Sequence, residues 1–155
     1  ICDNVGIGLK AYNRYSDAEI QSVTQESLER VGLVDVGDKY PAQLSGGMRK
    51  RVGLARVVAM KPKYILYDEP TTGLDPVTSA QIAILIKEMQ DDLNVTSIIV
   101  THDIPTGFFL ADKIVLLDQG NFSFVGNVEE MRKSEMKSVQ DFISGYKEEA
   151  DIKFR

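Results

Sequence analysis

The sequence predicts an α/β fold, with a partial parallel-sheet core and a helical subdomain. Residues 64–67 are apolar or aromatic and lead directly into two adjacent carboxylates, Asp68 and Glu69. This run is too short for a helix and too apolar for a surface loop, so it predicts a buried parallel strand. Residues 96–101 form a second, β-branched run that ends at His102, and they predict another strand of the buried kind. Reactive groups in open α/β sheets gather beyond the carboxyl ends of the strands, where these polar residues lie.

Composition narrows the class of protein. The chain has 155 residues, of which 43% are hydrophobic, enough to bury one sizeable core. Its 18 basic and 23 acidic residues give a net charge of −5, so no general attraction to nucleic acid or anionic lipid is expected. The single cysteine, Cys2, and the single histidine, His102, exclude a disulfide framework, disfavour a Cys/His zinc site and favour a cytoplasmic setting.

Residues 1–62 predict the helical subdomain. Ser16 and Glu19 have the spacing of a capping box, and the apolar periodicity after them predicts a helix of about four turns. A second helix is expected to begin near Ser45 and to end at about Pro62, because proline is not accommodated in a helix interior.

Residues 63–126 alternate between strands and helices and predict the sheet core. Asp75 before a proline is a good helix start. After the strand that ends at His102, a short helix over residues 105–111 and a strand over residues 113–117 are expected.

The chain ends with a predicted hairpin and a C-terminal helical segment. Residues 118–121 have turn chemistry, so residues 122–125 are expected to pair back as a hairpin. Residues 127–155 are assigned to C-terminal helices and a tail. Asn127 and Glu130 offer a helix cap there, and the last ten residues predict a solvated tail.

Three residues at the start of the second helix are candidates for anion binding. Around Ser45, Gly46 and Gly47 the backbone N–H groups lack intrahelical partners and carry about half a positive charge from the helix dipole. A phosphate would suit them. The alternative is that Ser45 is only a helix cap and the glycines belong to a tight turn, and these residues alone favour that alternative.

The adjacent carboxylates fit phosphoryl-transfer chemistry. One carboxylate can hold Mg²⁺ through water while the next orients the attacking water. Neighbouring side chains in extended chain point to opposite sides, so Asp68 and Glu69 are expected to take different roles. An ordinary strand-to-loop exit is the alternative.

Other residues leave both interpretations open. Asp75 is a common way to begin a helix, and His102 is either a structural histidine or one that reaches the crevice. Arg49, Lys50 and Arg51 could contact phosphates, but three charges on one helix of an acidic chain more often form a solvated face.

Four segments together resemble ATP-binding cassette (ABC) ATPases, which have a P-loop NTPase-type fold. The segments follow the order and approximate spacing of that family's motifs: LSGG at residues 44–47, YILYDEP at 64–70, GLDP at 73–76 and VTHD at 100–103. The resemblance implies an ATPase that uses ATP and Mg²⁺. It implies that Ser45, Gly46 and Gly47 form the signature motif, which binds the γ-phosphate of ATP held by the opposite subunit.

The same resemblance implies roles for the remaining candidates. Asp68 would be the Walker B residue for Mg²⁺ and Glu69 the catalytic base. Asp75 would be the D-loop residue at the dimer interface, and His102 the switch histidine on the γ-phosphate. The implied partners are a second ATPase subunit, in a homodimer, and an integral-membrane permease that holds the chain at the inner face of the cell membrane.

A narrower likeness concerns the cargo. Met48 stands where most of the family has glutamine, and residues 46–56 are similar to ATPase subunits of Mla/MCE-type lipid transporters, as are residues 139–145. This likeness implies transport of phospholipid or another lipid across the cell envelope, with the lipid handled by partner subunits.

One departure from the family pattern matters. No Gly-x-x-x-x-Gly-Lys-[Ser/Thr] loop occurs in the sequence, and the chain begins at Ile1. We therefore expect an N-terminally truncated fragment that is inactive alone. The alternatives are a soluble ABC-type ATPase in translation or DNA repair, of which repair is disfavoured because no sustained heptads precede Ser45, and a non-catalytic interaction module.

Overall fold

The computed structural model describes the backbone of residues 1–153 and the side chains of residues 1–145. Contacts divide the chain into two units, Ile1–Val100 and Thr101–Arg155. The predicted boundaries at residues 62 and 126 follow motifs rather than contacts, and the three-part division stays a prediction. No helix in the described part is long and apolar enough to cross a membrane.

The first unit contains four helices, a 3₁₀ turn and two strands within its described residues. In chain order these are α1 (Cys2–Ala11), α2 (Asp17–Arg30), the 3₁₀ turn (Pro41–Gln43), α3 (Gly46–Ala59), β1 (Tyr64–Asp68), α4 (Pro76–Leu93) and β2 (Thr96–Val100).

Helices α1, α2 and α3 pack against one another. The predicted capping box of α2 is confirmed, since the Glu19 amide donates to Ser16 Oγ over 3.3 Å and the Ser16 amide donates to Glu19 Oε2 over 2.8 Å. Helix α1 was not expected from the sequence. Its glycines explain why, because a Cβ on Gly6 would lie 2.9 Å from Ile20 Cγ2 and one on Gly8 would lie 2.5 Å from Met60 Sδ. These glycines lower helix propensity, yet they permit close helix packing.

The two predicted strands pair in parallel, with Asp68 opposite Val100 at their carboxyl ends. The expectation that they are buried on both faces is wrong. In β1 the side chains of Ile65 and Tyr67 are buried, but Leu66 is 75% exposed, and in β2 Ile98 is 61% exposed. Because side chains alternate along a strand, this two-stranded sheet has two faces. No other element of the first unit covers the face that carries Leu66 and Ile98.

The second unit contains α5 (Ile104–Leu110), β3 (Ile114–Asp118), β4 (Asn121–Gly126), α6 (Val128–Arg132) and α7 (Lys137–Lys153). The predicted hairpin is confirmed, and its two-residue turn has positive φ at both Gln119 and Gly120, as a type I′ turn requires. The predicted cap is also confirmed, since Asn127 and Glu130 form a capping box. The side chains of the predicted solvated tail lie outside the described residues.

A small apolar core holds the second unit together. Leu116, Met131 and Val139 are its buried members. Partly buried side chains pack around them, including Phe108, whose ring lies 4.8 Å from the Arg132 guanidinium carbon.

Candidate functional site

Helix α3 begins at the predicted position. Ser45 is its N-cap, and the Ser45 Oγ accepts a hydrogen bond from the Met48 amide over 3.2 Å. Gly46 is the first helical residue. The capping interpretation of Ser45 is therefore confirmed, and it leaves the remaining first-turn amides directed out of the helix start, as an anion site requires.

The two glycines let α3 approach the chain around the start of α4. A Cβ on Gly47 would lie 2.7 Å from Thr78 Cγ2, which is closer than such atoms pack, whereas a Cβ on Gly46 would lie 3.3 Å from Leu74 Cδ2. Gly47 thus has a packing role besides any contact with phosphate. The structure brings the Ser45–Gly47 segment together with the segment around Asp75.

Asp75 is the N-cap of α4. One carboxylate oxygen accepts from the amides of Val77 and Thr78 over 3.1 and 3.0 Å, and the other accepts from the Thr78 hydroxyl. Hydrogen bonds from Thr78 lower the pKa of Asp75 below its ordinary value. The bond from the Thr78 hydroxyl has the largest effect, and the bond from the Thr78 amide has the next largest. The structural interpretation of Asp75 is confirmed, and the D-loop role stays a prediction.

The two carboxylates leave β1 differently. Asp68 is the last strand residue and is exposed. Glu69 lies outside the strand, with φ of 46°, and its amide donates to the Val100 carbonyl over 2.9 Å. Strand alternation therefore does not set the direction of Glu69, contrary to the expectation from the sequence. A left-handed turn at a non-glycine residue sets it, and such turns persist only where neighbouring contacts hold them.

Two side chains hold Glu69 in this turn. The Thr72 hydroxyl donates to Glu69 Oε2 over 2.7 Å. The Lys50 ammonium, on α3, donates to the Glu69 carbonyl over 2.9 Å. Helix α3, which begins at Gly46, is thus joined to the turn that follows β1 by a direct hydrogen bond within the first unit.

The three consecutive basic residues do not form one solvated face. Arg49 donates to the Leu44 carbonyl, and Arg51 donates to the Val31 carbonyl over 2.9 Å. Lys50, between them, reaches Glu69. Successive residues on an α-helix point about 100° apart, so three neighbours meet three different surroundings, and the solvated-face interpretation is wrong for this helix.

A cleft of about 300 Å³ lies at this edge of the first unit. Residues of α3 and of the turn before α4 line it: Gly46, Arg49, Lys50, Gly53, Thr72, Gly73 and Leu74. Two cationic side chains and a helix N-terminus border the same space, so its chemistry suits an anion.

His102 belongs to the second unit and is exposed. It lies between the end of β2 at Val100 and the start of α5 at Ile104. The next residue, Asp103, donates its amide to Thr101 Oγ1 over 3.0 Å, which fixes the turn into α5.

The carboxylate of Asp68 fits a magnesium ion that is bound together with the phosphates of a nucleotide. Among the residues that the structure describes, no group of three or more His, Cys, Asp or Glu side chains could hold a metal alone. Mg²⁺ is commonly held by one or two carboxylates together with waters and substrate phosphates, and the exposed Asp68 offers such a carboxylate. Burial raises the pKa of the neighbouring Tyr67 to about 12, so its phenol stays protonated at neutral pH.

Comparison with known proteins tests the resemblance. A family profile described as "ABC transporter" matches residues 3–72. A solved dimeric structure of a post-hydrolysis state of the ATP-binding cassette MJ0796, bound to ADP and Pi, superposes with a TM-score of 0.71 at 32% identity. The chain contains part of an ABC transporter ATP-binding domain. The predicted α/β fold of the P-loop NTPase-type ABC ATPases is thereby confirmed.

Relatives at higher identity carry importer names. The methionine import ATP-binding protein MetN 1 of Pseudomonas fluorescens is 42% identical over 77% of this chain, and MetN of Caulobacter vibrioides is 43% identical over 84%. The Fe(3+) ions import ATP-binding protein FbpC 2 of Rhizobium meliloti is 44% identical over 90%. None of these three names mentions a lipid, so the lipid-transport likeness gains no support from them.

The chain spans only part of each relative. The aligned share is 36%, 39% and 35% of the three curated proteins and 56% of the solved chain. The whole protein's activity, substrate and partners are therefore proposals.

Sequence reasoning missed two residues of this ABC domain that touch Glu69. The sequence favoured a solvated face for Lys50 and gave no prediction for Thr72. Helical spacing could have indicated that Lys50 faces the candidate anion site. Residues three and four apart lie on the same side of a helix, and Lys50 follows Gly47 and Gly46 at those intervals. Thr72, three residues after Glu69 in a turn, is likewise placed to hydrogen-bond back.

We expect Gly47→Ala to lower the free energy of unfolding by about 1–3 kcal/mol, because the added methyl overpacks the α3–α4 contact. Thr78→Ser removes the methyl group that the new alanine side chain at position 47 would strike, and it keeps the hydroxyl that donates to Asp75. The double variant should therefore recover most of the lost stability. Urea unfolding measures both.

Gly53→Ala is the matched control, since a Cβ there meets nothing within 4 Å. It should stabilise α3 by roughly 0.5–1 kcal/mol. Equal losses in Gly47→Ala with and without Thr78→Ser would refute the packing role.

Proposed function

We propose that this chain is the part of an ABC transporter ATPase that carries the catalytic base and the signature motif. The observation that carries the proposal is the end of β1. There Asp68 and Glu69 leave a parallel strand pair in succession, and the second is tied by Lys50 to the helix that begins at the signature glycines. Two carboxylates beside an anion-suited cleft are among the elements that ATP hydrolysis requires.

Glu69 acts as the general base in this proposal. Its carboxylate takes a proton from the water that attacks the γ-phosphate. The Thr72 hydroxyl at Oε2, 2.7 Å away, fixes the rotation of the carboxylate. A base held in place in this way needs no reorganisation as the reaction proceeds.

In the same reaction, Asp68 would hold Mg²⁺. The ion, when bound with ATP, neutralises the charge that develops on the phosphate oxygens. Asp68 is exposed at the carboxyl end of β1, directly before Glu69, so its carboxylate is available to the waters around such an ion.

The signature residues act on a second nucleotide. Ser45 and the backbone amides of Gly46 and Gly47 bind the γ-phosphate of ATP held by an opposite copy. His102 contacts the γ-phosphate as the switch histidine, and Asp75 lies at the interface between copies. The solved dimer named above, with ADP and Pi bound, supports an arrangement of two subunits.

A membrane permease is the second proposed partner. Nucleotide-driven closure of two ATPase subunits would move that permease and, through it, the cargo, at the inner face of the cell membrane. The curated relatives support this assignment, because they are named as import ATP-binding proteins.

Two classes of cargo have separate support. Import of a small polar solute is supported by relatives named for methionine and Fe(3+) import at 42–44% identity. Lipid transport is supported by Met48 in the signature helix and by residues 139–145. The relatives cover most of this chain, so we place polar-solute import first.

In the full-length protein from which this chain derives, we expect Glu69→Gln to reduce ATP turnover by about 10²- to 10⁴-fold, because the amide cannot accept the proton. Nucleotide affinity should be retained. Phosphate release measures the turnover, and equilibrium dialysis measures the affinity.

Glu88→Gln is a suitable control for that variant, since Glu88 is an exposed residue of α4. It should turn over ATP at the wild-type rate. Wild-type turnover in Glu69→Gln would remove Glu69 from the role of general base.

The cargo is tested in a strain that lacks the gene. We expect lower uptake of either labelled methionine or labelled ferric ion, with rescue by the wild-type gene and no rescue by the Glu69→Gln gene. Unchanged uptake of both solutes, together with an altered distribution of phospholipid across the envelope, would instead support lipid transport.

A further inference from the structure

Lys50, on α3, reaches the backbone of the carboxylate pair through a hydrogen bond. Its ammonium lies 2.9 Å from the carbonyl oxygen of Glu69, and the two residues are nineteen positions apart in sequence. The side chain is partly buried at this contact. A hydrogen bond from a charged donor is stronger than one between neutral groups, and it is also better retained away from bulk water.

The backbone of Glu69 needs such a contact. Glu69 has φ of 46°, a conformation that is unfavourable for a residue with a side chain. The next residue, Pro70, has no N–H group and restricts the backbone that precedes it. Within the turn, the Thr72 amide donates to the Glu69 carbonyl over a long 3.4 Å. The shorter bond from Lys50, at 2.9 Å, is therefore the stronger anchor of that carbonyl.

Anchors on both flanking peptide groups set the direction of the Glu69 side chain. Its amide is held by the Val100 carbonyl over 2.9 Å, and its carbonyl is held by Lys50. With both groups fixed, the Cα–Cβ bond has one direction, and only rotation within the side chain remains. Thr72 restricts that rotation through Oε2.

We propose that Lys50 is a positioning residue for Glu69: its ammonium holds the Glu69 carbonyl and so aims the carboxylate at the attacking water. The proposal rests on the assignment of Glu69 as the general base. Lys50 itself touches no reacting atom. It acts through the Glu69 backbone, from the helix that begins at the signature glycines.

The test compares three single variants of the full-length protein. Lys50→Met keeps the length of the side chain and removes the donor. Lys50→Arg keeps a charged donor. Lys87→Met makes the same chemical change on α4, where Lys87 pairs with Asp91 over 3.1 Å at the surface.

We expect Lys50→Met to lower kcat by roughly 10- to 100-fold, the size of effect that misplacement of a catalytic group produces. The KM for ATP should stay within about twofold, because the residue acts on the chemical step rather than on binding. Lys50→Arg should restore most of kcat, and Lys87→Met should match the wild type. A kcat for Lys50→Met within about twofold of the wild type would overturn the proposal.

A double-variant comparison separates positioning from a general loss of stability. If Lys50 acts through Glu69, then Lys50→Met should add no further loss in a Glu69→Gln background, measured in single turnovers with γ-labelled ATP. The same fold-loss in both backgrounds would overturn the proposal. If Lys50→Met does not fold, Lys50→Leu, which also lacks a donor, replaces it in both backgrounds with the same expected and contradicting results.

Failure of this inference is distinguishable from failure of the proposed function. A wild-type protein that hydrolyses no ATP, or one unaffected by Glu69→Gln, overturns both. A wild-type ATPase that loses turnover in Glu69→Gln but not in Lys50→Met overturns the role of Lys50 alone.

Discussion

The parallel register of β1 and β2 fixes the geometry on which the rest of the site depends. Because Asp68 lies opposite Val100, the next amide, that of Glu69, meets the Val100 carbonyl at 2.9 Å. This bond ends the strand and starts the left-handed turn at Glu69. A shift of one residue in the register would turn every side chain of β1 to the other face and remove the carbonyl from that position.

Packing and chemistry share residues at the start of α3. Gly47 allows α3 to approach Thr78, and the Thr78 hydroxyl in turn is held by the Asp75 cap of α4. We therefore expect a substitution at any of these positions to change the helix packing beside the cleft. Loss of activity after such a substitution does not by itself identify a phosphate contact, and comparison with a variant that repairs the packing is needed.

The sequence predicted the elements whose signals are local. Ser16, Ser45 and Asp75 cap their helices as expected, because a capping side chain binds amides within its own first turn. The hairpin turn at Gln119 and Gly120 is equally local. The consecutive carboxylates at the end of β1 were found because a short apolar run that leads into acids is typical of a strand ending at a polar edge of its sheet.

Features that depend on distant partners could not be predicted. Helix α1 was missed because its glycines lower local helix propensity, and their compensation lies in packing against Ile20 and Met60. The contact of Lys50 with the Glu69 carbonyl joins residues nineteen positions apart, and composition alone favours a solvated lysine. The positive φ of Glu69 has no sequence signature at all, since glutamate rarely adopts it.

Sedimentation velocity of the full-length Glu69→Gln protein tests most directly whether two copies of this chain complete each other's ATP sites. The slow variant should hold ATP without consuming it, so the signature segment of each copy can meet the γ-phosphate on the other. Our interpretation predicts a monomer without nucleotide and a dimer with ATP and Mg²⁺. A protein that binds ATP in equilibrium dialysis yet sediments as a monomer at saturating ATP would contradict it.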